Sequence, residues 1–175
     1  MSNYSKFQKK DPPSGPLSIG GTLVTYDLLS PSQKELAKTV DKWLGEKKKT
    51  RKPILRIGAG SGFGKSVCIK YLVDHYGWDL SECYVVSYTG QSVNVLKTYG
   101  VRSSTIHATF MTPQDVPVLD RESGKPIIRR GVPLMDVKFK PVKSIPSTVK
   151  LIIIDEASFL PKSLEDILLR YNTPI

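Results

Sequence analysis

Cysteine, long apolar runs and acidic residues are all scarce in this 175-residue chain. Its two cysteines, Cys68 and Cys83, lie 15 positions apart and outside any metal-ligand spacing. That excludes a disulfide framework as the basis of the fold and fits a reducing cytoplasm. No apolar run approaches the roughly 20 residues of a membrane span. Leu151 to Ile154 is a strand's length. Residues Met1 to Lys10 are polar and basic and lack the apolar centre of a secretory signal. The expectation is a soluble protein with no membrane partner. Asp and Glu total 16 against 26 Lys and Arg, giving a net charge of +10 and a pI near 9.6. Such a balance argues against acidic partners and suits a polyanion, nucleic acid before a membrane surface. The remaining composition, 39% apolar and 24% charged, is that of an ordinary globular domain.

One stretch stands out: Arg56-Ile57-Gly58-Ala59-Gly60-Ser61-Gly62-Phe63-Gly64-Lys65-Ser66. It follows the apolar Pro53-Ile54-Leu55 and precedes a helix-like run, Val67 to Tyr76. Strand, glycine-rich loop, Lys-Ser and helix is the layout of a phosphate-binding P-loop. Glycines let backbone N–H groups curl round an anion without Cβ clashes, so Gly60, Ser61, Gly62, Phe63 and Gly64 are the expected cradle. Lys65 would reach the β- and γ-phosphates of ATP, and Ser66 would ligate Mg²⁺. The helix N-terminus would add its positive dipole end. In one departure, Ala59 stands where the strict pattern has Gly, six positions before Lys65.

The rest of the chain alternates. Residues 1–25 read as a tail, broken by Asp11-Pro12-Pro13-Ser14-Gly15-Pro16. Leu28 to Leu44 reads as a helix with Ser30 as N-cap, Pro31 at its first position and Leu36, Val40, Trp43 and Leu44 as its apolar stripe. Gly45 to Lys52 is a charged loop, and Ile54 to Ile57 a first strand. Cys83 to Tyr88 is a second strand, and Ser92 to Tyr99 a short helix stopped by Gly100. Residues 111–148 hold six prolines. Within them, Val116–Leu119 and Pro126–Arg130 would flank an exposed turn, Asp120 to Lys125. Leu151 to Ile154 is a continuous apolar run, as in a central parallel strand. Leu164 to Tyr171 is a final amphipathic helix with Ser163 as its cap. Strands alternating with helices predict an α/β domain with a parallel sheet covered on both faces, with nucleotide at the carboxyl ends of the strands.

A phosphate cradle needs an acidic partner, and Leu151-Ile152-Ile153-Ile154-Asp155-Glu156 supplies one. The buried strand would fix two carboxylates at its end. Asp155 would bind Mg²⁺, directly or through water, and Glu156 would polarise the attacking water. Binding and hydrolysis of ATP is the economical reading.

Three further segments carry a resemblance. Val85-Val86-Ser87-Tyr88-Thr89-Gly90 is similar to motif Ia of superfamily 1B, RecD-like DNA helicases. Ser103-Ser104-Thr105-Ile106-His107 is similar to a later segment of that family, and Leu29-Ser30-Pro31-Ser32-Gln33-Lys34 resembles its Q motif. The order and spacing fit over residues 28–170. Tyr88 stands where the family often has proline. The resemblance implies a RecA-like first motor domain, 1A, in a cytoplasm of bacterial or phage-infected type. It implies that Gln33 meets the adenine edge and that Thr89, Thr105 and His107 meet the backbone of single-stranded DNA at a fork. Thr105 is equally suited to cap a turn, and His107 to a structural place. Segment 111–148 sits where the family inserts domain 1B, a wedge between strands. From Arg121 to Lys150 there are eight Lys or Arg against two acids, which favours nucleic acid. The family's Gly-Asp-x-x-Gln segment and its second RecA-like domain, with the arginine that stabilises γ-phosphate charge, are not in this sequence. The expectation is therefore the ATP-binding N-terminal part of a DNA helicase, translocating 5′→3′ by family analogy, that needs a second half or partner protein. Two alternatives are a DNA-binding or interfering protein with little catalysis and a stand-alone phosphotransferase whose lid would be Arg129-Arg130.

Overall fold

The structure is a computed structural model and describes residues 16–46, 54–60 and 62–175. The expected charged loop falls largely on residues 47–52, and the expected tail on 1–15, both outside the described residues. Helix α1 is Pro31–Gly45. Ser30 caps it in a full capping box, its hydroxyl accepting from Gln33 N–H while the Gln33 side chain accepts from Ser30 N–H. Leu28 and Leu29 lie outside the helix, which begins after the cap. The buried stripe is Gln33, Ala37, Val40 and Trp43, with Leu36 and Leu44 on its shoulders.

Helix α2, Lys65–Tyr76, starts two residues earlier than expected and ends at Gly77 in the left-handed region. Residues 16–25 do not form a tail. They are a strap across the domain, with antiparallel bridges from Pro16 to Asp79 and from Ser18 to Val101. Leu17 is fully buried, which contributes about 1.5–3 kcal/mol. Gly100 has φ +75°, and a Cβ there would lie 1.9 Å from the Gly20 carbonyl oxygen, so the strap's approach requires glycine. The other tie is a buried ion pair. Lys70, 2% exposed, donates to Asp74 Oδ1 at 2.8 Å, to Ser18 Oγ at 2.7 Å and to the Gly20 carbonyl at 3.2 Å. Asp74 Oδ2 accepts from Val24 N–H.

Strands β1 (Cys83–Ser87), β2 (Ser104–Thr105) and β7 (Leu151–Asp155) form a parallel sheet in the order β2-β1-β7. Their side chains alternate between two cores. Cys83, Val85 and Leu151 join Leu17, Trp43, Ile69, Val73 and Leu96 beneath α1, α2 and α3 (Gly90–Thr98). Val86 and Ile152 face the other way, onto Ile106 and Phe110 of α4 (Ile106–Phe110) and Leu164 and Leu168 of α5 (Lys162–Leu169). The sheet is thus covered on both faces, as expected. Residues 54–57 form no ladder. Leu55 N–H donates to the Ile175 carbonyl, while Ile152 N–H of β7 donates to the Pro174 carbonyl. The last residues occupy the place beside β7 that a first strand would need. In α5, Ser163 is not the cap; Pro161 precedes the helix, which has no side-chain cap bond.

Segment 111–141 is an arm. Strands β3 (Met111–Pro117) and β6 (Met135–Pro141) pair antiparallel along seven residues. The expected turn at Asp120–Lys125 forms, with Asp120 Oδ1 accepting from Glu122 N–H, Ser123 N–H and Ser123 Oγ–H. The expected pairing of 116–119 with 126–130 forms next to that turn, with a bridge between Leu119 and Pro126 and Ile127 N–H donating to the Val118 carbonyl, and goes no further. Residues 128–129 (β4) pair instead with 132–133 (β5). Arg130 and Gly131, φ +49° and +77°, make a second tight turn of the kind that suits a two-residue hairpin. Four of the prolines are tolerated because every strand in these ribbons is an edge.

Burial opposes the Asp74 charge, but donation from Lys70, Val24 and Ser18 outweighs it and holds the carboxyl below its ordinary range. Its folded pKa is depressed, so its contribution is present above the unfolded pKa and lost as pH falls through the folded one. Lys70→Ala leaves a buried carboxylate unpaired and should cost about 3–5 kcal/mol in urea denaturation. Lys70→Met with Asp74→Leu should cost clearly less than Lys70→Ala alone. Equal losses would show that the pair is not what ties the strap.

Candidate active site

The phosphate loop is built as its glycines require. Gly62 and Gly64 have φ +79° and +80°, and Gly64 caps α2 while its carbonyl accepts from Val67 and Cys68 N–H. A Cβ on Gly58, Gly60 or Gly62 would meet nothing within 4 Å, so the loop borders open space at these three positions. Ser61 lies outside the described residues. Phe63 is half-buried, and its carbonyl accepts from Gln33 Nε2 at 2.9 Å. Gln33 is buried and engaged at both ends of its amide, by the Ser30 N–H and by the loop. The structure thus places it as a strut between α1 and the phosphate loop. One N–H of the amide is not used by these bonds.

The two acids stand at the carboxyl end of β7. Lys65 Nζ lies 3.5 Å from Glu156 Oε1, which brings loop and acids into one site. Asp155 is 5% exposed. Burial, then the neighbouring Glu156 charge, push its carboxyl up, against a bond from Glu156 N–H at 3.0 Å and the field of Lys65. A buried carboxylate whose charge is disfavoured is one that a divalent cation would relieve, and Ser66 supplies a hydroxyl on the second residue of α2. The donor set fits Mg²⁺ shared with phosphate oxygens. Among the described residues there is no group of three His, Cys, Asp or Glu side chains able to hold a metal alone. Glu156 takes φ +55° and ψ +41°, a left-handed backbone that a non-glycine residue adopts at a cost.

The register carries the remaining residues to the same edge. Ser87 pairs with Asp155 on one side and with Thr105 on the other. Ser87 is fully buried and its hydroxyl donates to the Asp155 carbonyl at 3.2 Å. Thr89 then caps α3, accepting from Ser92 N–H, and Thr105 caps α4, accepting from Ala108 N–H. Both threonines therefore act as helix caps at positions beside the acids, a role that the sequence suggested for Thr105 and not for Thr89. His107 is half-buried between two rings, Tyr88 at 6.1 Å and Phe139 at 5.9 Å between centroids.

Phe139 is the residue that sequence reasoning missed. It is 55% exposed on β6, opposite Pro113. Its signal was present in Val137-Lys138-Phe139-Lys140, where apolar and basic residues alternate with the period of a strand. One face of the arm carries Met135, Val137 and Phe139, the other Lys138 and Lys140. The Arg129-Arg130 pair lies at the second hairpin of the arm.

Asp155 has a folded pKa above its unfolded one, so ionisation weakens the fold, and stability falls as pH rises between the two values. Asp155→Asn removes that penalty while its amide oxygen can still accept from Glu156 N–H. The nucleotide-free variant should melt higher than the wild type at pH 7, with the gap closing towards pH 3. A lower melting temperature at neutral pH would show that the carboxylate is not under the burial stress described.

No helix among the described residues is long and apolar enough to cross a membrane. No curated protein and no solved structure matches the chain. The profile of an AAA domain family, AAA_19, matches residues 44–172, a span that takes in the phosphate loop, all three sheet strands, the arm and both acids. The chain belongs to that family, whose domain is a P-loop NTPase domain found in UvrD/Rep/RecD-type superfamily 1 helicases.

Proposed function

We propose that the chain is the ATP-binding 1A part of an ATP-dependent DNA helicase, with 111–148 as its 1B insertion. The observation that carries this reading is the shared edge. Register puts Thr89, Thr105 and His107 at the ends of β1 and β2, beside Asp155 and Glu156 at the end of β7. A site for phosphates and a surface of hydroxyls and rings then meet along one line, and the arm reaches that line through the contact of Phe139 with His107.

In this reading the loop amides and Lys65 hold the phosphates of ATP. Mg²⁺, held by Ser66 and Asp155, supplies charge neutralisation on the phosphate oxygens. Lys65 leaves Glu156 for the γ-phosphate, which frees the Glu156 carboxylate to accept a hydrogen bond from the attacking water and orient it. Gln33 ties the loop's shape to α1. Thr89 and Thr105 hydroxyl protons are donors for backbone phosphates, which orders a strand without reading its sequence. Phe139 and His107 offer ring faces to bases, a contact every base can make. Translocation and unwinding need a second RecA-like domain that closes on the nucleotide and contributes an arginine. That half, in the same polypeptide or a partner, is part of the proposal, as is DNA as the strand.

Lys65→Ala should weaken ATP binding tenfold or more in calorimetry, and unchanged affinity would remove the phosphate-cradle assignment. Phe139→Ala should weaken binding of a single-stranded oligonucleotide by about fivefold or more, since base–aromatic stacking is worth about 1–3 kcal/mol per base. Binding should also fall linearly on a log–log salt plot. A strand affinity indifferent to both Phe139 and salt sinks the DNA reading while leaving the nucleotide site intact.

A further inference from the structure

A cavity of about 550 Å³ opens between the 16–25 strap, the 3₁₀ turn Tyr26–Leu28, α1 and the far end of α2. Its walls include Tyr26, Lys38, Asp41, Tyr71, Asp74 and His75. Lys38 and Asp41 follow Gln33 by five and eight residues, and Asp74 and His75 follow Lys65 by nine and ten. At 1.5 Å per residue that sets the cavity about 8–15 Å from the phosphate loop. Neither the loop glycines, the acids of β7 nor the arm contributes to it.

The chemistry of these walls is that of a base and a phosphate. Tyr71 is the buried floor; His75 stacks on it with centroids 5.3 Å apart and planes within 19°, and Tyr26 tilts onto it at 6.2 Å. Tyr26 and His75 are both exposed. Lys34 Nζ sits 5.3 Å from the Tyr26 ring centroid. Lys34, Lys38 and Lys42 follow one another at four-residue spacing along one side of α1, so a basic stripe borders the rings. Asp41 accepts from the Tyr76 hydroxyl and keeps further acceptor capacity for an exocyclic amino group. Asp74 is spent inside the fold on Lys70 and Val24, so it does not repel a phosphate as a free carboxylate would. The same ion pair fixes the strap, and with it one wall of the cavity.

We propose that this cavity binds a nucleotide unit distinct from the one in the phosphate loop. Its base lies against Tyr26 and His75, its amino group donates to Asp41, and its phosphate meets Lys38 and Lys34. The unit can come from a free nucleotide or from a residue of a single strand. The site goes beyond the proposed motor function and stands without it.

The test uses protein carrying Lys65→Ala, which disables the loop, with and without Tyr26→Ala/His75→Ala. Both ring residues are exposed, and a melting scan confirms that the fold is kept. Two probes are titrated: AMP, and an oligodeoxyadenylate containing 8-azidoadenine for crosslinking and peptide mapping. The expected result is loss of affinity by about fivefold or more on removing the rings. Loss for AMP identifies a free-nucleotide site. Crosslinks to the Tyr26 or His75 peptides, lost in the variant, identify a strand site. AMP binding unchanged by the variant, together with crosslinks confined to 88–107 and the arm, overturns the proposal. An absence of binding by both probes overturns it too.

Discussion

The parallel ladder between β1 and β7 sets the position of nearly everything else, because parallel strands end on the same edge. Five residues of each pair in register, Cys83 with Leu151 through Ser87 with Asp155. That register is not free to slip. A shift of one residue would turn Cys83 and Val85 out of the core under α1 and α2 and drive Tyr84 and Val86 into it. Two separate cores, one on each face, therefore fix one alignment. The Ser87 hydroxyl adds a bond to the Asp155 carbonyl at the last rung. Side-by-side placement of Thr89, Thr105, Asp155 and Glu156 is thus a consequence of apolar packing several residues earlier, and no contact among the functional groups themselves is needed to produce it.

That packing also carries the stress at the site. Asp155 is buried where its charge is disfavoured, and Glu156 sits in a left-handed backbone. Neither state is comfortable for an isolated strand end. Both persist because Leu151 and Ile152, four and three residues before Asp155, are held in opposite cores. The Lys65–Glu156 contact, with both side chains about a third exposed, is too solvated to enforce this geometry. It is better understood as an easily exchanged pairing, one a phosphate can replace, than as a structural bond.

How much of this was legible in the sequence differs by region for physical reasons. The phosphate loop and the two acids were readable because their chemistry demands particular residues at fixed spacing. Helix α1 was readable from Ser30, Pro31 and its stripe, although its first turn was set by the capping box, not by Leu28. The strap was misread as a tail because Pro16 and Gly20 look like coil. Its order comes from Lys70, a charge that local pattern places on a surface and that only tertiary contacts show to be 2% exposed. Strand 54–57 was misread because its apolar residues fit a strand, yet a ladder needs a neighbour and Pro174 and Ile175 take that place. In the arm the prolines read as breakers. They are compatible with strand structure here only because a two-stranded ribbon leaves half its backbone groups unpaired, a property of sheet topology that no window of sequence contains.

The arm's construction also explains why its residues are so exposed. A two-stranded ribbon has no core of its own and is marginal in isolation. Its root supplies the missing support. Val142 N–H donates to the Phe110 carbonyl, Tyr171 Oη–H donates to the Val142 carbonyl at 2.8 Å, and Phe110 stacks on Tyr171 at 5.5 Å. Phe110 is fully buried, so the ribbon grows directly out of the second core. Beyond that root every residue of β6 is exposed, the apolar Met135, Val137 and Phe139 among them. Exposed apolar side chains of this size on one face, with Lys138 and Lys140 on the other, give the arm little folding energy to gain from itself. A strand of nucleic acid presents both flat apolar bases and phosphates. In the proposed reading such a strand would meet the ring face beside His107 and lie within reach of the basic one.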